Sequence, residues 1–537
     1  MRIPCYAVTT RIVTCLLISL LSWLPMMAAA QEQDAQALLE ALDTRSFDDK
    51  AAAIDAIIES EHARADVWLQ ALLDSDLQRL KDDGRFVIAL ETAGLDVTIE
   101  DALTGEAMGE VSRRDLDRLT INNALRRQLR SAISLVELYN GDQEARLDAA
   151  KRLIGDVEDA QVEPLTNRLD KEPSAAVRER LNQALAVYRL NQGDVDAVEV
   201  LSGSLNSDVR VALNRAAQSD DPVMVDAASA ALAGIEQSLK LNRAAETLYF
   251  GLSMGSVLVL AAIGLAITFG VMGVINMAHG ELIMLGAYTT WAMQQLLPGQ
   301  PGLALILSIP AGFLVSALAG VAIERGVIQF LKGRPLETLL ATFGVSLILQ
   351  QLVRTVISPQ NRTVITPEWM SGSLVVNDAL SLTLNRMYVL GFALVVFAAL
   401  ILVMRRTRLG LEVRAVTQNR AMARSMGIRA TRVDIMTFAL GSGVAGLAGV
   451  ALSQLTNVGP NLGQNYIIDS FMVVVFGGVG NLWGTLVAGM SLGIINQVLE
   501  PWAGAVLAKI IVLVFIILFI QKRPRGLFPQ KGRAAEG

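Results

Sequence analysis

The chain has 537 residues, 52% of them hydrophobic, and a net charge of −6. That length exceeds one ordinary domain, and the averages conceal two unlike parts. Residues 31–247 carry 42 acidic against 24 basic side chains, whereas 248–537 carry 10 against 20, so an acidic solvated part precedes an apolar basic one. Neither part has the basic footprint of a nucleic-acid binder. Cys5 and Cys15 are the only cysteines, and His62 and His279 the only histidines. This excludes disulfide frameworks and Cys/His metal centres, and no cofactor is expected.

Residues 1–30 begin with Arg2 and Arg11, continue through an apolar run and end in Ala28-Ala29-Ala30. This pattern predicts a secretory signal peptide cleaved after Ala30, which would place residues 31–243 in the periplasm. That region is helical by pattern. Ala145-Arg146-Leu147, Val177-Arg178-Glu179 and Val209-Arg210-Val211 recur at intervals of 32 residues, each after a polar turn. Period and pattern resemble a HEAT-like α-solenoid, in which each helix pair buries its apolar face on the next. Residues 85–109 break the pattern and predict a small β-hairpin insertion. No nucleophile, metal cluster or phosphate loop marks this half as an enzyme.

Residues 244–529 form the membrane domain and 530–537 a short cytoplasmic tail. Apolar segments cover residues 249–271, 281–297, 302–328 (bent near Pro310), 336–357, 387–404, 434–454, 467–498 and 503–520. With the acidic half outside, basic loops should fall alternately inside. Arg325, Lys332 and Arg334 follow the third segment, eight arginines lie between Arg405 and Arg432, and Lys522, Arg523 and Arg525 follow the last. Segment 467–498 is broken at Gly477-Gly478-Val479-Gly480-Asn481 and must cross an even number of times. Either it re-enters or it makes two short crossings, so the total is about eight.

Two segments are interrupted in comparable places, by Gly270, Gly273, Asn276, His279, Gly280 and Glu281 in one, and by Gly477, Gly478, Gly480 and Asn481 in the other. Each joins a Phe-Gly pair to an Asn. Paired interruptions point to a translocation path, in which freed backbone groups and two amides would touch a neutral substrate. Close helix packing is the competing explanation of the glycines. His279 and Glu281 read as a gate, a proton relay or a helix cap. Glu324, Arg325, Arg354 and Lys509 lie near segment ends, where they can snorkel, and no segment centre offers a fixed cation–anion pair. A proton-driven carrier is thereby disfavoured.

The stretch GLSMGSVLVLAAIGLAITFGVMGVINMAHGELIMLGAY, with INMAHGE as its most specific part, resembles the opening signature of membrane subunits of ABC importers for branched-chain amino acids, amides and urea. The resemblance covers roughly residues 248–529, and the long N-terminal extension makes the chain look most like the urea-importer branch. It implies an all-α, polytopic permease in the bacterial inner membrane. Its partners would be a second homologous permease, two cytoplasmic ATPase subunits and a periplasmic substrate-binding protein. GLEVRAVTQNRAMARSMGI, residues 410–428, is similar to that family's coupling segment, which implies ATPase contacts at Arg414, Asn419, Arg420, Ala423 and Gly427, with Val413, Val416 and Met426 on one face. No G-x-x-x-x-G-K-[ST] motif occurs, so ATP would be hydrolysed by a partner. The alternatives are a branched-chain amino acid permease of the same family and a passive channel for a small neutral solute. A receptor would need an output domain beyond the last segment.

Overall fold

A computed structural model describes residues 35–60, 62, 64–93 and 96–528. The expected signal peptide and the tail after residue 529 lie outside these. Two compact units divide at Ser238 and Leu239.

In the first unit, α1 (Phe47–Glu59) starts where the Ser46 hydroxyl accepts from Asp49 N, and α2 (Ala65–Asp74) follows. Both bury leucines, isoleucines and Trp68, whose indole donates to Ala102 O at 2.6 Å. The hairpin read between residues 85 and 109 is the centre of a larger sheet: β1 (Leu77–Leu80), β2 (Phe86–Ala93), β3 (Asp96–Asp101), β4 (Ala107–Ser112) and β5 (Leu116–Arg118). All pairings are antiparallel, in the order β4-β3-β2-β1-β5. The outer strands escape a sequence reading because each carries too few apolar residues to alternate visibly. Cross-strand pairing stabilises them instead.

Helices then succeed one another: α3 (Asn123–Asn140), α4 (Gln143–Arg152), α5 (Val162–Lys171), α6 (Ala175–Asn191), α7 (Ala197–Leu201) and α8 (Ser207–Ala216). α3 packs on α4, α4 on α6, and α6 on α5, α7 and α8. The periodic arginines hold the turns that precede their helices. Arg146 donates to Gly141 O at 2.9 Å, and Arg178 to Glu172 O at 2.6 Å. Glu172, fully buried, accepts from Arg146 at 3.2 Å and from Arg168 at 2.7 Å, tying one turn to the next.

α9 (Pro222–Met272) begins in the first unit and ends in the second. The second unit continues with α10 (His279–Leu296), α11 (Pro301–Gly326), α12 (Pro335–Val356), a hairpin of β6 (Ser373–Asn377) and β7 (Leu380–Thr383), and α13 (Leu384–Arg406). Two short helices, α14 (Arg408–Gln418) and α15 (Arg420–Ser425), lead to α16 (Ala430–Ser453), α17 (Leu462–Gly477) and α18 (Leu482–Lys522). α18 is two helices in succession, since Gly504 has φ 76°. Among the described residues six helices are long and apolar enough to cross a membrane: α9, α11, α12, α13, α16 and α18. α17 is too short for that set, and α10 is diluted by His279, Glu281, two threonines and two glutamines.

The apolar window of α9 is 83% buried and that of α16 78%, against 28% for α11, α12 and α13. α9 and α16 are therefore central and the others peripheral. Small residues permit this: a side chain at Gly286 of α10 would strike the backbone of Gly446 on α16, and one at Gly255 of α9 would lie 2.8 Å from Met490 Cα on α18. Close backbone approach of this kind drives helix association where water is absent.

Candidate functional site

The first interruption begins where α9 ends. Gly273 takes φ 66°, and residues 273–276 are non-helical. The Asn276 side-chain oxygen accepts from Ala278 N at 3.0 Å, and Met277 N donates to Thr342 Oγ1 of α12 at 3.1 Å. Helix α10 then opens with His279 and Glu281, both buried. His279 Nε2 lies 2.9 Å from Ala261 O; a carbonyl only accepts, so Nε2 carries the proton. Glu281 Oε1 accepts from Ser346 Oγ at 2.9 Å and from Gln350 Nε2 at 2.8 Å. Its carboxylate is thus bound across to α12 rather than capping its own helix.

These contacts expose a feature that sequence reasoning missed. Thr338, Thr342, Ser346 and Gln350 recur every fourth residue along α12 and are all buried, although most of that helix is not. Thr342, Ser346 and Gln350 form a polar stripe that bonds Met277 and Glu281 at the start of α10, while Thr338 bonds back to Leu331 O and Arg334 O. Their i, i+4 spacing in an otherwise apolar segment was the available signal. Three buried polar atoms at this interruption have no partner among the described residues: Asn276 Nδ2, His279 Nδ1 and Glu281 Oε2.

The second interruption is a tight turn between α17 and α18, with Gly478 at φ 103° and Gly480 at φ 78°. The Asn481 side chain accepts from Gly484 N at 3.1 Å and donates to Phe528 O at 3.1 Å. The turn is closed by the residues that follow α18, with Leu527 N donating to Phe476 O at 2.9 Å. The two interruptions meet: a side chain at Gly270 would lie 2.6 Å from Gly480 Cα. Gly280 likewise abuts the backbone of Gly463 on α17, and Gly477 that of Gly484. Close approach accounts for these glycines.

The arginine-rich segment folds as α14 and α15. Val413, Val416 and Ala423 pack inward with Ala430 and Val433, and with Val271 at the end of α9. Met426 is 77% exposed, so the expected single face of Val413, Val416 and Met426 does not form. Asn419 caps α15 by accepting from Met422 N at 2.9 Å, and Gly427 ends it with φ 88°. Arg414 donates to Met404 O at 2.5 Å. Arg420 pairs with buried Asp434, which also binds Lys332 at 2.9 Å, and Lys332 reaches buried Glu324 at 3.0 Å. Glu324 is therefore paired inside the protein rather than snorkelling. Beside the Gly270–Gly480 contact, Arg405, Arg414, Gln418, Asn481 and Trp483 line a cavity of about 470 Å³.

One further ion pair links two helices of the membrane domain, with the Lys509 side chain half exposed and so away from a segment centre. Asp469, buried in the middle of α17, accepts from Lys509 of α18 at 3.0 Å.

Residues 247–520 match the profile of the family described as branched-chain amino acid transport system, permease component. The chain is 29% identical over 292 residues to the high-affinity branched-chain amino acid transport permease LivH of Escherichia coli K12, covering 52% of this chain and 94% of the relative. It is 28% identical over 290 residues to BraD of Pseudomonas aeruginosa, with 52% and 93% covered. Over 224 residues it is 26% identical to the ribose import permease RbsC of E. coli K12, with 40% and 66% covered. No solved structure matches.

Proposed function

Since the chain belongs to the permease family of branched-chain amino acid ABC importers, a family of multi-pass membrane subunits and not of enzymes, we propose that it works beside a second permease on two ATPase subunits. A periplasmic binding protein delivers its substrate, which is urea or a short amide. The observation that carries the path is the set of unpartnered polar atoms at the first interruption, Asn276 Nδ2, His279 Nδ1 and Glu281 Oε2, one donor and two acceptors. Urea offers both donors and an acceptor, and an ionisable residue within a membrane segment, here His279 or Glu281, is a functional-site candidate by default. The glycines at 270, 273 and 280 let this polar cluster sit at the end of a break, while the second break, at 477, 478 and 480, meets the first where Gly480 abuts Gly270.

Coupling runs through α14 and α15, whose inner face touches Val271, one residue from the Gly270–Gly480 contact. Exposed Leu411, Met422 and Met426 supply an apolar outer face for an ATPase subunit. The periodic helices of the first unit, linked turn to turn by Arg146 and Glu172, are read as a HEAT-like module outside the membrane.

Urea also has the support of the N-terminal extension, because LivH is matched over nearly its whole length by half of this chain. A second substrate reading, a branched-chain amino acid, draws on the names of those relatives and on the Asp469–Lys509 pair, which offers both charges a zwitterion needs. Vesicles holding the complete importer decide between them. ATP-dependent accumulation of labelled urea with no leucine supports the first reading, and leucine without urea overturns it.

A further inference from the structure

We propose that the cavity beside the Gly270–Gly480 contact binds an anionic phospholipid, its phosphate on Arg405 and Arg414 and an acyl chain along Ile267, Ile401 and Trp483. The proposal rests on the chain spanning a membrane and is independent of what it transports. The cavity has a volume of about 470 Å³, and its lining combines cationic with apolar side chains. Arg405, Arg414 and Gln418 line it together with Ile267, Ile401 and Leu482, and no carboxylate among the described residues does. Arg414 is steadied by its bond to Met404 O, which uses one of its five donors. Two guanidinium groups lining one cavity suit phosphate oxygens.

The apolar wall argues for a lipid over a soluble anion. Next to it in sequence, Leu402 of α13 follows Ile401 and Val487 of α18 lies one turn beyond Trp483, and both are exposed on helices apolar enough to cross a membrane. Trp483, 52% exposed, stands between, its ring edge-on to Phe397 at 5.4 Å. Trp483 stands at the start of α18, on the same cavity as Arg405 from the end of α13, and a half-exposed indole at a membrane helix end is an interfacial anchor. Basic pockets between membrane helices at that level take anionic headgroups. A lipid held there would touch α14 and both interruptions at once, so the membrane's anionic content would bear on coupling.

The test uses the full chain in nanodiscs containing brominated phosphatidylglycerol or brominated phosphatidylcholine at equal mole fraction. The Trp483 signal is obtained by difference from Trp483→Phe. Brominated phosphatidylglycerol should quench it preferentially, and each arginine should contribute about fivefold to that preference. Arg405→Gln with Arg414→Gln should erase the preference, while the two Lys variants retain part of it and control for folding. Equal quenching by both lipids, or a preference unchanged by the Gln pair, overturns the proposal. So does loss of the preference in excess inorganic phosphate, which would assign the site to a soluble anion. Loss on binding of the ATPase subunits would assign the arginines to a partner carboxylate and would overturn it equally.

Discussion

The guanidinium of Arg420 is paired with Asp434, a carboxylate buried at the start of α16 and shared with Lys332. Arg420 is therefore an internal anchor, and the outward charge of this segment belongs to Arg424 and its exposed neighbours. Arg420→Glu would set a third carboxylate beside Asp434 and Glu324 with Lys332 alone to balance them. Breaking such a pair costs about 3–5 kcal/mol, so the variant should lose thermal stability and yield. Arg424→Glu should fold normally and lower substrate-stimulated ATP hydrolysis at least about tenfold, or about 1.4 kcal/mol. Equal stability of the two variants would contradict this division.

Gly270→Ala should destabilise the protein by about 1–3 kcal/mol, because the added methyl meets Gly480 Cα at 2.6 Å, backbone that cannot turn aside. Gly234→Ala lies in the same helix with nothing near it, and should be neutral or stabilise by about 0.5–1 kcal/mol. Thermal unfolding in detergent compares the two.

Glu281→Ala strands Ser346 and Gln350 and should cost about 2 kcal/mol. Glu281→Gln keeps an acceptor for both and should stay within about 0.5 kcal/mol of the native protein while lowering uptake at least about tenfold. Uptake preserved in the Gln variant would leave Glu281 a packing role alone.

Glu172→Gln removes the charge that Arg146 and Arg168 share inside the helical unit. A loss of about 3 kcal/mol is expected, which hydrogen exchange would report as roughly 100-fold faster opening across residues 143–191. Unchanged exchange would mean that the turns hold without this link.

Orientation has its own measurement. A reporter active only in the periplasm should work when inserted within residues 361–378 and be silent within 414–432. Activity at the arginine-rich segment would reverse the topology.

The repeat of arginines every 32 residues, the apolar segments and the two interruptions are all legible in the chain, because each depends on local spacing. Helix periodicity, glycine's freedom and the run of arginines need no partner to be seen. What only the tertiary structure decided is which groups meet. Gly270 meets Gly480 across 210 residues of chain, and that contact makes one structure of two separate breaks. Asp434, Asp469 and the polar stripe of α12 gain their meaning from Arg420, Lys509 and Glu281, each on another element. The outer strands of the sheet are stabilised by their neighbours and not by their own few apolar side chains. A buried charge or amide is costly unless something distant satisfies it, and a one-dimensional pattern records the cost without recording the partner.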